Sequence, residues 1–354
     1  MKIALITDTH FGARGDSIPF DEYFKKFYSE VFFPELEKRN ITTVFHLGDV
    51  FDRRKFINFN ILNSCKQYFF DELKKRNLTC YMLAGNHDTY FKNTNEVNSP
   101  ELLISKEYQP NVKVFSTPEV VTIDNFSVLM LPWICSGNYE EVMEVIKSTL
   151  APVVFSHLEL AGFCMYRGVM NEHGMDPSIF NKFDLVCSGH FHTRSSKGNI
   201  TYIGNPYPMT WNDYEDVRGF TVMDTDTLEM EVVRNPHDIF IKYKYDDISN
   251  DEEKTDMKQF ANKLVKLVII NKTNFFKYDL FIDRLNKQNP IELKIIEDFS
   301  EFEADALDDD NLNLEDTITL LNQFVDGIET DADKPRIKSY LKDLYLEAQT
   351  TESI

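Results

Sequence analysis

The sequence predicts an α/β sandwich followed by a small α/β module and C-terminal helices. Three observations predict it. Short apolar runs rich in β-branched residues alternate with amphipathic stretches through the first two thirds of the chain. Later runs follow one another without long helices between them, which suggests a second, more antiparallel half. The composition then changes near Asn235-Pro236. At 354 residues the chain is long enough for one large domain and one or two smaller ones.

In chain order, strands are expected at Lys2–Thr7, Thr43–Leu47, Thr79–Ala84, Val112–Ser116, Ser127–Trp133, Pro152–Ser156, Asp184–Ser188, Ile200–Ile203 and Phe220–Met223. Helices are expected at Asp21–Lys38, Asn58–Lys75 and Tyr139–Leu150. These elements make up a domain over residues 1–238. A module over 239–299 follows, read as a strand (Ile239–Tyr245), a helix (Asp251–Val268) and a strand (Glu292–Glu297). Residues 300–354 begin as an acidic linker through Asp308-Asp309-Asp310. They end in two stretches of 3.6-residue periodicity, 314–328 and 337–345, each with one apolar stripe. No internal repeat is present.

Composition excludes several classes. Hydrophobic residues make up 42% and charged residues 27%, a globular balance. No apolar run approaches the length of a membrane span, and the run after Met1 is too short for a signal peptide before Asp8 interrupts it. A cytosolic protein is expected. Five cysteines without a CxxC pair argue against a disulfide framework or a zinc ribbon and for small buried thiols. The net charge of −20 is uneven, with −9 on residues 1–238, none on 239–299 and −11 on 300–354. Such a chain is a poor non-specific nucleic-acid binder by itself, since neutralising phosphates needs Lys and Arg.

Five apolar runs end in potential metal ligands. They lead into Asp8-Thr9-His10, Gly48-Asp49-Val50-Phe51-Asp52, Gly85-Asn86-His87-Asp88, His157 and Gly189-His190-Phe191-His192. Ligands of open α/β sheets bind beyond the carboxyl ends of the strands. Residues i and i+2 of an extended segment share a face, so Asp8 with His10, and His190 with His192, can each serve one centre. The glycines at 48, 85 and 189 allow tight turns ahead of the ligands. One such motif is ordinary turn chemistry; five, each at a strand end, are a constellation. His46, His173 and His237 lack this context and read as structural or surface residues.

In this order the motifs resemble the signature of the calcineurin-like metallophosphoesterases, and they span residues 8–192. Phe51-Asp52-Arg53-Arg54-Lys55, Leu131-Pro132-Trp133 and Tyr202-Ile203-Gly204-Asn205-Pro206 are similar to the SbcD-type DNA repair nucleases, among them the nuclease subunits of the recombination endonucleases of T-even-like bacteriophages. The resemblance implies a two-sheet metallophosphoesterase sandwich flanked by helices, a capping domain that contacts DNA, and a tail that binds an SMC-like ATPase. It implies two divalent ions, Mn²⁺ above all. Asp8, His10 and His192 would hold one ion; Asn86, His157 and His190 would hold the other; Asp49 would bridge them. That donor set suits Mn²⁺, Fe²⁺ or Zn²⁺. His87 would act on the transition state or leaving group, oriented through a hydrogen bond that it donates to Asp88. Asp52 stands where many of these nucleases carry histidine, and reads as a supporting residue. Arg53, Arg54 and Lys55 would meet DNA phosphates, with Arg14 and Arg194 as weaker candidates.

The function expected from this resemblance is a Mn²⁺-dependent DNA nuclease. It would be a 3′→5′ exonuclease and single-strand endonuclease, working as a homodimer with the ATPase in recombination and repair. The same site also suits a small-molecule phosphodiesterase or a phosphoprotein phosphatase, readings that leave the basic triplet, the 239–299 module and the tail without a purpose. A scaffold without catalysis is the third reading, set against the fact that every ligand position is filled.

Overall fold

The computed structural model describes residues 1–297 and, in the tail, residues 325, 334, 336–338, 340 and 341. The chain divides into two compact units, Met1–Phe302 and Glu303–Ile354. The acidic linker and most of the two stripes at 314–328 and 337–345 lie outside the described residues.

The strands are β1 (Lys2–Ile6), β2 (Thr43–His46), β3 (Thr79–Leu83), β4 (Val112–Phe115), β5 (Glu119–Ile123), β6 (Phe126–Leu131), β7 (Val153–His157), β8 (Cys164–Tyr166), β9 (Val169–Met170), β10 (Leu185–Gly189), β11 (Ser195–Lys197), β12 (Ile200–Tyr202), β13 (Gly219–Asp224), β14 (Met230–Arg234), β15 (Phe240–Asp246), β16 (Leu264–Asn271) and β17 (Glu292–Ile296). All nine strands expected in residues 1–238 are present. The strands β5, β11 and β14 and the β8–β9 hairpin are additions; β5, β11 and β14 lie at sheet edges.

Two six-stranded sheets form the sandwich, in the orders β14-β13-β1-β2-β3-β4 and β11-β12-β10-β7-β6-β5. Strands β1 to β4 are parallel, as are β6, β7, β10 and β12. Antiparallel strands flank both parallel blocks. The central strands are apolar at almost every position because both faces are covered. On β1, Ile3 and Leu5 face the space between the sheets, while Ala4 and Ile6 face the outer helices. On β7, Val153 and Phe155 point between the sheets and Val154 points outward. Phe45 meets Phe155 edge-on across this inner layer, their rings 4.8 Å apart.

The first sheet is covered by two long helical runs. Ile18–Phe27, Tyr28–Phe32 and Phe33–Lys38 follow one another with a wide turn in the middle, as do Phe59–Cys65, Lys66–Phe70 and Asp71–Lys75. Asn58 caps the second run, its side chain accepting from the Asn60 amide at 2.9 Å. Phe24, Phe27, Phe32, Phe33, Phe69 and Phe70 are buried beneath these runs. The helix Tyr139–Ser148 covers the second sheet through Val142 and Ile146.

The module after residue 238 departs from expectation. Residues 251–268 do not form a helix. Two short 3-10 turns precede β16, whose run Leu264-Val265-Lys266-Leu267-Val268-Ile269 is apolar but for Lys266, carries β-branched Val265, Val268 and Ile269, and is central in a parallel β15-β16-β17 sheet. The helix lies later, at Phe275–Asn286, and its N-cap Asn274 accepts from the Lys277 amide at 3.1 Å. Tyr245, Phe260, Leu267, Phe281 and Leu285 form a core of the module's own. Phe240 and Leu264 join the core of the main sheet, and the Trp211 ring lies 4.8 Å from that of Phe240.

Replacing Phe155 by Ala removes the ring that joins the two sheets. A loss of about 3–5 kcal/mol is expected, read by urea denaturation as a lowered midpoint with an unchanged slope.

Candidate metal centre

The parallel strands deliver their loops to one edge of the sandwich. Past β1 and β2 the backbones stay paired: Leu47 N–H donates to Ile6 O at 2.8 Å, Asp8 to Gly48 O at 3.0 Å, His10 to Asp49 O at 3.1 Å and Phe11 to Val50 O at 2.9 Å. Within these loops Asp8, His10 and Asp49 adopt φ of 51°, 42° and 55°, and His190 has φ of 85°. Of the three glycines expected to turn, only Gly48 has a positive φ, 100°. A Cβ there would also stand 2.5 Å from His157 Nδ1. Gly85 and Gly189 matter for close approach instead, since a Cβ would overlap the Asp49 carboxylate and the Thr7 hydroxyl respectively.

Two clusters result. Asp8, His10 and His192 bring three ligand atoms within 4.8 Å of one another, and so do Asp49, His157 and His190. Asn86 Oδ1 lies 2.8 Å from His157 Nε2 and 3.0 Å from His190 Nδ1, which adds an amide oxygen to the second cluster. Asp49 Oδ2 lies 3.3 Å from His157 Nε2 and 3.7 Å from His10 Nε2, so its carboxylate faces both. His190 and His192 do not serve one centre. The left-handed backbone at His190 breaks the extended alternation and sends the two rings to different clusters.

Asp8 and Asp49 are buried, with imidazoles within 3.9 Å of both carboxylates and the Thr7 hydroxyl also bonded to Asp8. Burial drives the His10 and His157 imidazoles down, but the Asp52, Asp49 and Asp8 carboxylates around His10, and chiefly Asp49 around His157, outweigh it; both rise to about 9. Burial, with help from His157, takes His190 down to about 3. Burial also pushes Asp49 up, yet His157 and His87 hold it well below the usual carboxylate range. Buried carboxylates, imidazoles and an amide oxygen converging on two points are the donor set of a borderline divalent cation, and the residues fit a pair of such ions.

A family model, calcineurin-like phosphoesterase, matches residues 1–194, more than half the chain. The chain belongs to the calcineurin-like phosphoesterase family. Exonuclease subunit 1 of Enterobacteria phage T4 is 31% identical over 98% of this chain and 99% of its own. Putative phosphoesterase 244L of Invertebrate iridescent virus 6 is 25% identical over 61% of this chain and 73% of its own. The solved structure of a novel archaeal phosphodiesterase aligns with 66% of this chain at 15% identity, with a TM-score of 0.34.

The phosphoesterase site contains residues whose places differ from expectation. His87 belongs to neither cluster. Its Nδ1 lies 2.6 Å from the Asp52 carbonyl, which can only accept, so Nδ1 carries the hydrogen and Nε2 is left for chemistry. The expected bond from Asp88 to His87 is absent. Asp88 instead accepts from the amides of Gly85 at 2.9 Å, Val50 at 3.0 Å and Phe51 at 3.1 Å, and so ties the Asp49 loop to the Asn86 loop. Asp52 holds His87 by its backbone and approaches His10 Nδ1 by its carboxylate, at 3.4 Å.

Among the basic candidates, Arg53 pairs with Asp16, Arg54 lies 3.4 Å from Thr89 Oγ1, and Lys55 stands 5.7 Å over the Tyr90 ring. Arg14 lies 6.0 Å over the Phe20 ring. Arg194 turns inward, donating to Thr221 Oγ1 at 2.9 Å and Gly219 O at 3.1 Å, and so is taken up by β13 rather than presented to phosphate. His46 is structural as expected: it is buried between Thr9 Oγ1, at 3.0 Å, and the Gly48 amide. His237 pairs with Glu30 at 3.2 Å. Sequence reasoning missed Arg218, a buried guanidinium that pairs with Asp213 at 2.8 Å and Asp216 at 3.0 Å and donates to Asn205 Oδ1 and the His192 carbonyl. Its signal was the Asn205-Pro206 run, to which no partner had been assigned.

Asp88→Ala strands three buried amides. It is expected to cost about 2–4 kcal/mol and to lower bound metal, checked by denaturation and elemental analysis.

A second expectation concerns protons. With the His10 and His157 values raised to about 9 from 6.5, the metal-free fold gains stability from their protonation that is complete below pH 6.5. That stability is lost as pH rises through 9. Metal needs the neutral rings, so its affinity rises over the same window, and binding at pH 7 releases roughly two protons. Calorimetry in buffers of different ionisation enthalpy reads this directly.

Proposed function

We propose that this phosphoesterase is a two-metal DNA nuclease, acting as a 3′→5′ exonuclease and single-strand endonuclease with Mn²⁺. The observation that carries the reading is the extent of the likeness to the phage T4 exonuclease subunit, 98% of this chain and 99% of that one. A likeness confined to the catalytic sandwich would suit a small-molecule phosphodiesterase equally. This one extends over the 239–299 module and the tail as well. Filled ligand positions and buried carboxylates also favour catalysis over a scaffold.

In this reading Asp8, His10 and His192 hold one ion, Asn86, His157 and His190 hold the other, and Asp49 bridges them. When bound, the ions supply Lewis-acid stabilisation of the phosphodiester and a more acidic water. The chain's own part is positional. Asp49 fixes both centres and also accepts from the His87 amide at 2.8 Å. The carbonyl of Asp52 holds His87 through Nδ1–H. Once Nε2 also takes up a proton, against the burial that lowers its affinity for one, the imidazolium would protonate the leaving oxygen or donate to the charge developing there. Arg53, Arg54 and Lys55 lie on the loop that follows Asp49 and would meet the DNA backbone. Arg53 and Lys55 are exposed, and an exposed pair such as Arg53–Asp16 is weak enough to exchange for a phosphate.

The partner in this proposal is an SMC-like ATPase, bound through the C-terminal helices and supplying much of the duplex-binding surface in end processing for recombination and repair. A homodimer through the early helices is part of the same reading; it is supported by the exposure of Ile18, Phe56 and Phe59 near their starts. Among the described residues no helix is long and apolar enough to cross a membrane, and the place of action proposed is the cytoplasm, that of the host if a phage encodes the chain.

Two variants test the centre. Asp49→Ala should abolish Mn²⁺-dependent cleavage of single-stranded DNA, and near wild-type cleavage would overturn the two-metal reading. His87→Ala should keep its metal by elemental analysis while activity drops about 10²–10⁴-fold. Loss of metal in step with activity would make His87 a ligand.

A further inference from the structure

A cavity of about 280 Å³ lies beside the second cluster, with Trp133, Tyr139, Leu158, Glu159, His173 and Met175 in its lining. Its wall touches the centre: the Trp133 ring lies 5.2 Å from the ring of His190 and 6.2 Å from that of His157. Trp133 is firmly held. Its amide donates to Ala84 O at 3.0 Å, and its carbonyl accepts from Asn95 Nδ2 at 2.8 Å and Asn138 Nδ2 at 2.9 Å. Tyr139 opens the helix Tyr139–Ser148 and is 47% exposed. The opposite wall is pinned as well, with Met175 N–H donating to Glu159 O at 2.9 Å.

The lining decides the ligand class. No lysine or arginine faces the cavity and a glutamate does, which excludes a phosphate or another anion. Two aromatic rings, Leu158 and Met175 suit a flat apolar face, while His173 and Glu159 offer polar groups at the rim. The volume lies at the lower end of the range for small-molecule sites, enough for one planar group. A nucleobase has this chemistry: a π-face that stacks on aromatic side chains and an edge of donors and acceptors.

We propose that this cavity receives the nucleobase adjoining the scissile phosphate, stacked against Tyr139 with Trp133 behind it. The proposal rests on the nuclease reading above and adds a base subsite to it. A base in the cavity has left its own stack, so single strands and frayed ends enter more readily than intact duplex. Stacking tolerates any base, so little sequence preference follows.

The test uses the full-length protein with Mn²⁺ and end-labelled single-stranded oligonucleotides, each carrying one abasic tetrahydrofuran residue at a different position. Wild-type protein should cleave the phosphodiester beside the abasic residue roughly tenfold less efficiently, within the range of base–aromatic stacking, mainly through KM. In Tyr139→Ala, cleavage beside normal nucleotides should fall to the abasic level, with no further loss at the abasic position. Tyr139→Phe should restore the discrimination. Wild-type cleavage that is uniform along the abasic series overturns the subsite and leaves the nuclease reading standing. Discrimination that survives in Tyr139→Ala also overturns it. A wild-type protein that cleaves none of the oligonucleotides overturns the nuclease reading, and the subsite with it.

Discussion

Two carboxylates, Asp8 and Asp49, are buried beside each other where the two sheets meet. An isolated charge in such a place is costly, and the rest of the site answers that cost. His10 and His192 face Asp8, and His10 and His157 face Asp49. Each cluster holds one imidazole pushed up to about 9 and another driven down. Without a cation, protons are the counter-charge. With divalent ions the same side chains would serve as ligands, since a positive charge is what buried carboxylates call for.

Holding these groups together strains the backbone. Asp8, His10, Asp49 and His190 all have positive φ, a conformation that costs roughly 1–2 kcal/mol for a residue with a Cβ. The compensation is local. The β1 and β2 loops continue their backbone pairing beyond the strands, Asp88 gathers three amides, and Arg218 fixes the carbonyl of His192 through a buried network with Asp213 and Asp216. The strain thus lies on ligand residues and its relief on residues that touch no candidate metal position.

How much of this the sequence disclosed follows the same division. Period and composition reveal an element wherever both of its faces are buried, so the central strands and the long helices of residues 1–238 were legible. Edge strands such as β5 and β14 are half polar and passed as loop. Over 251–268 a helix was expected, yet the stretch turns twice and then joins the centre of a parallel sheet, where the run Leu264–Ile269 of β16 is mostly buried. The residues that converge in the two candidate clusters were legible because their types are unusual at strand ends. The partition of His190 and His192 was not legible from spacing, since it depends on one backbone dihedral. Nor was the partner of Asp88: a carboxylate next to a histidine suggests a side-chain pair, whereas three amides, two from the Asp49 loop and one from its own, lie closer.

The charge pattern bears on how a substrate would be held. Two of the arginines near the centre are held inward: Arg194 by β13 and Arg218 by two aspartates. The first 238 residues carry a net −9. Long-range attraction for a polyanion is therefore weak, and affinity that depends on released counterions would be small. In the proposed reading, recognition would come from short-range terms: divalent ions on the phosphodiester, stacking in the cavity lined by Trp133 and Tyr139, and a surface contributed by another subunit. Of these, stacking would act only on a base that has left its own stack. If the proposed reading holds, an acidic body would attract intact duplex weakly, and a preference for ends and single strands would need no sequence-reading element.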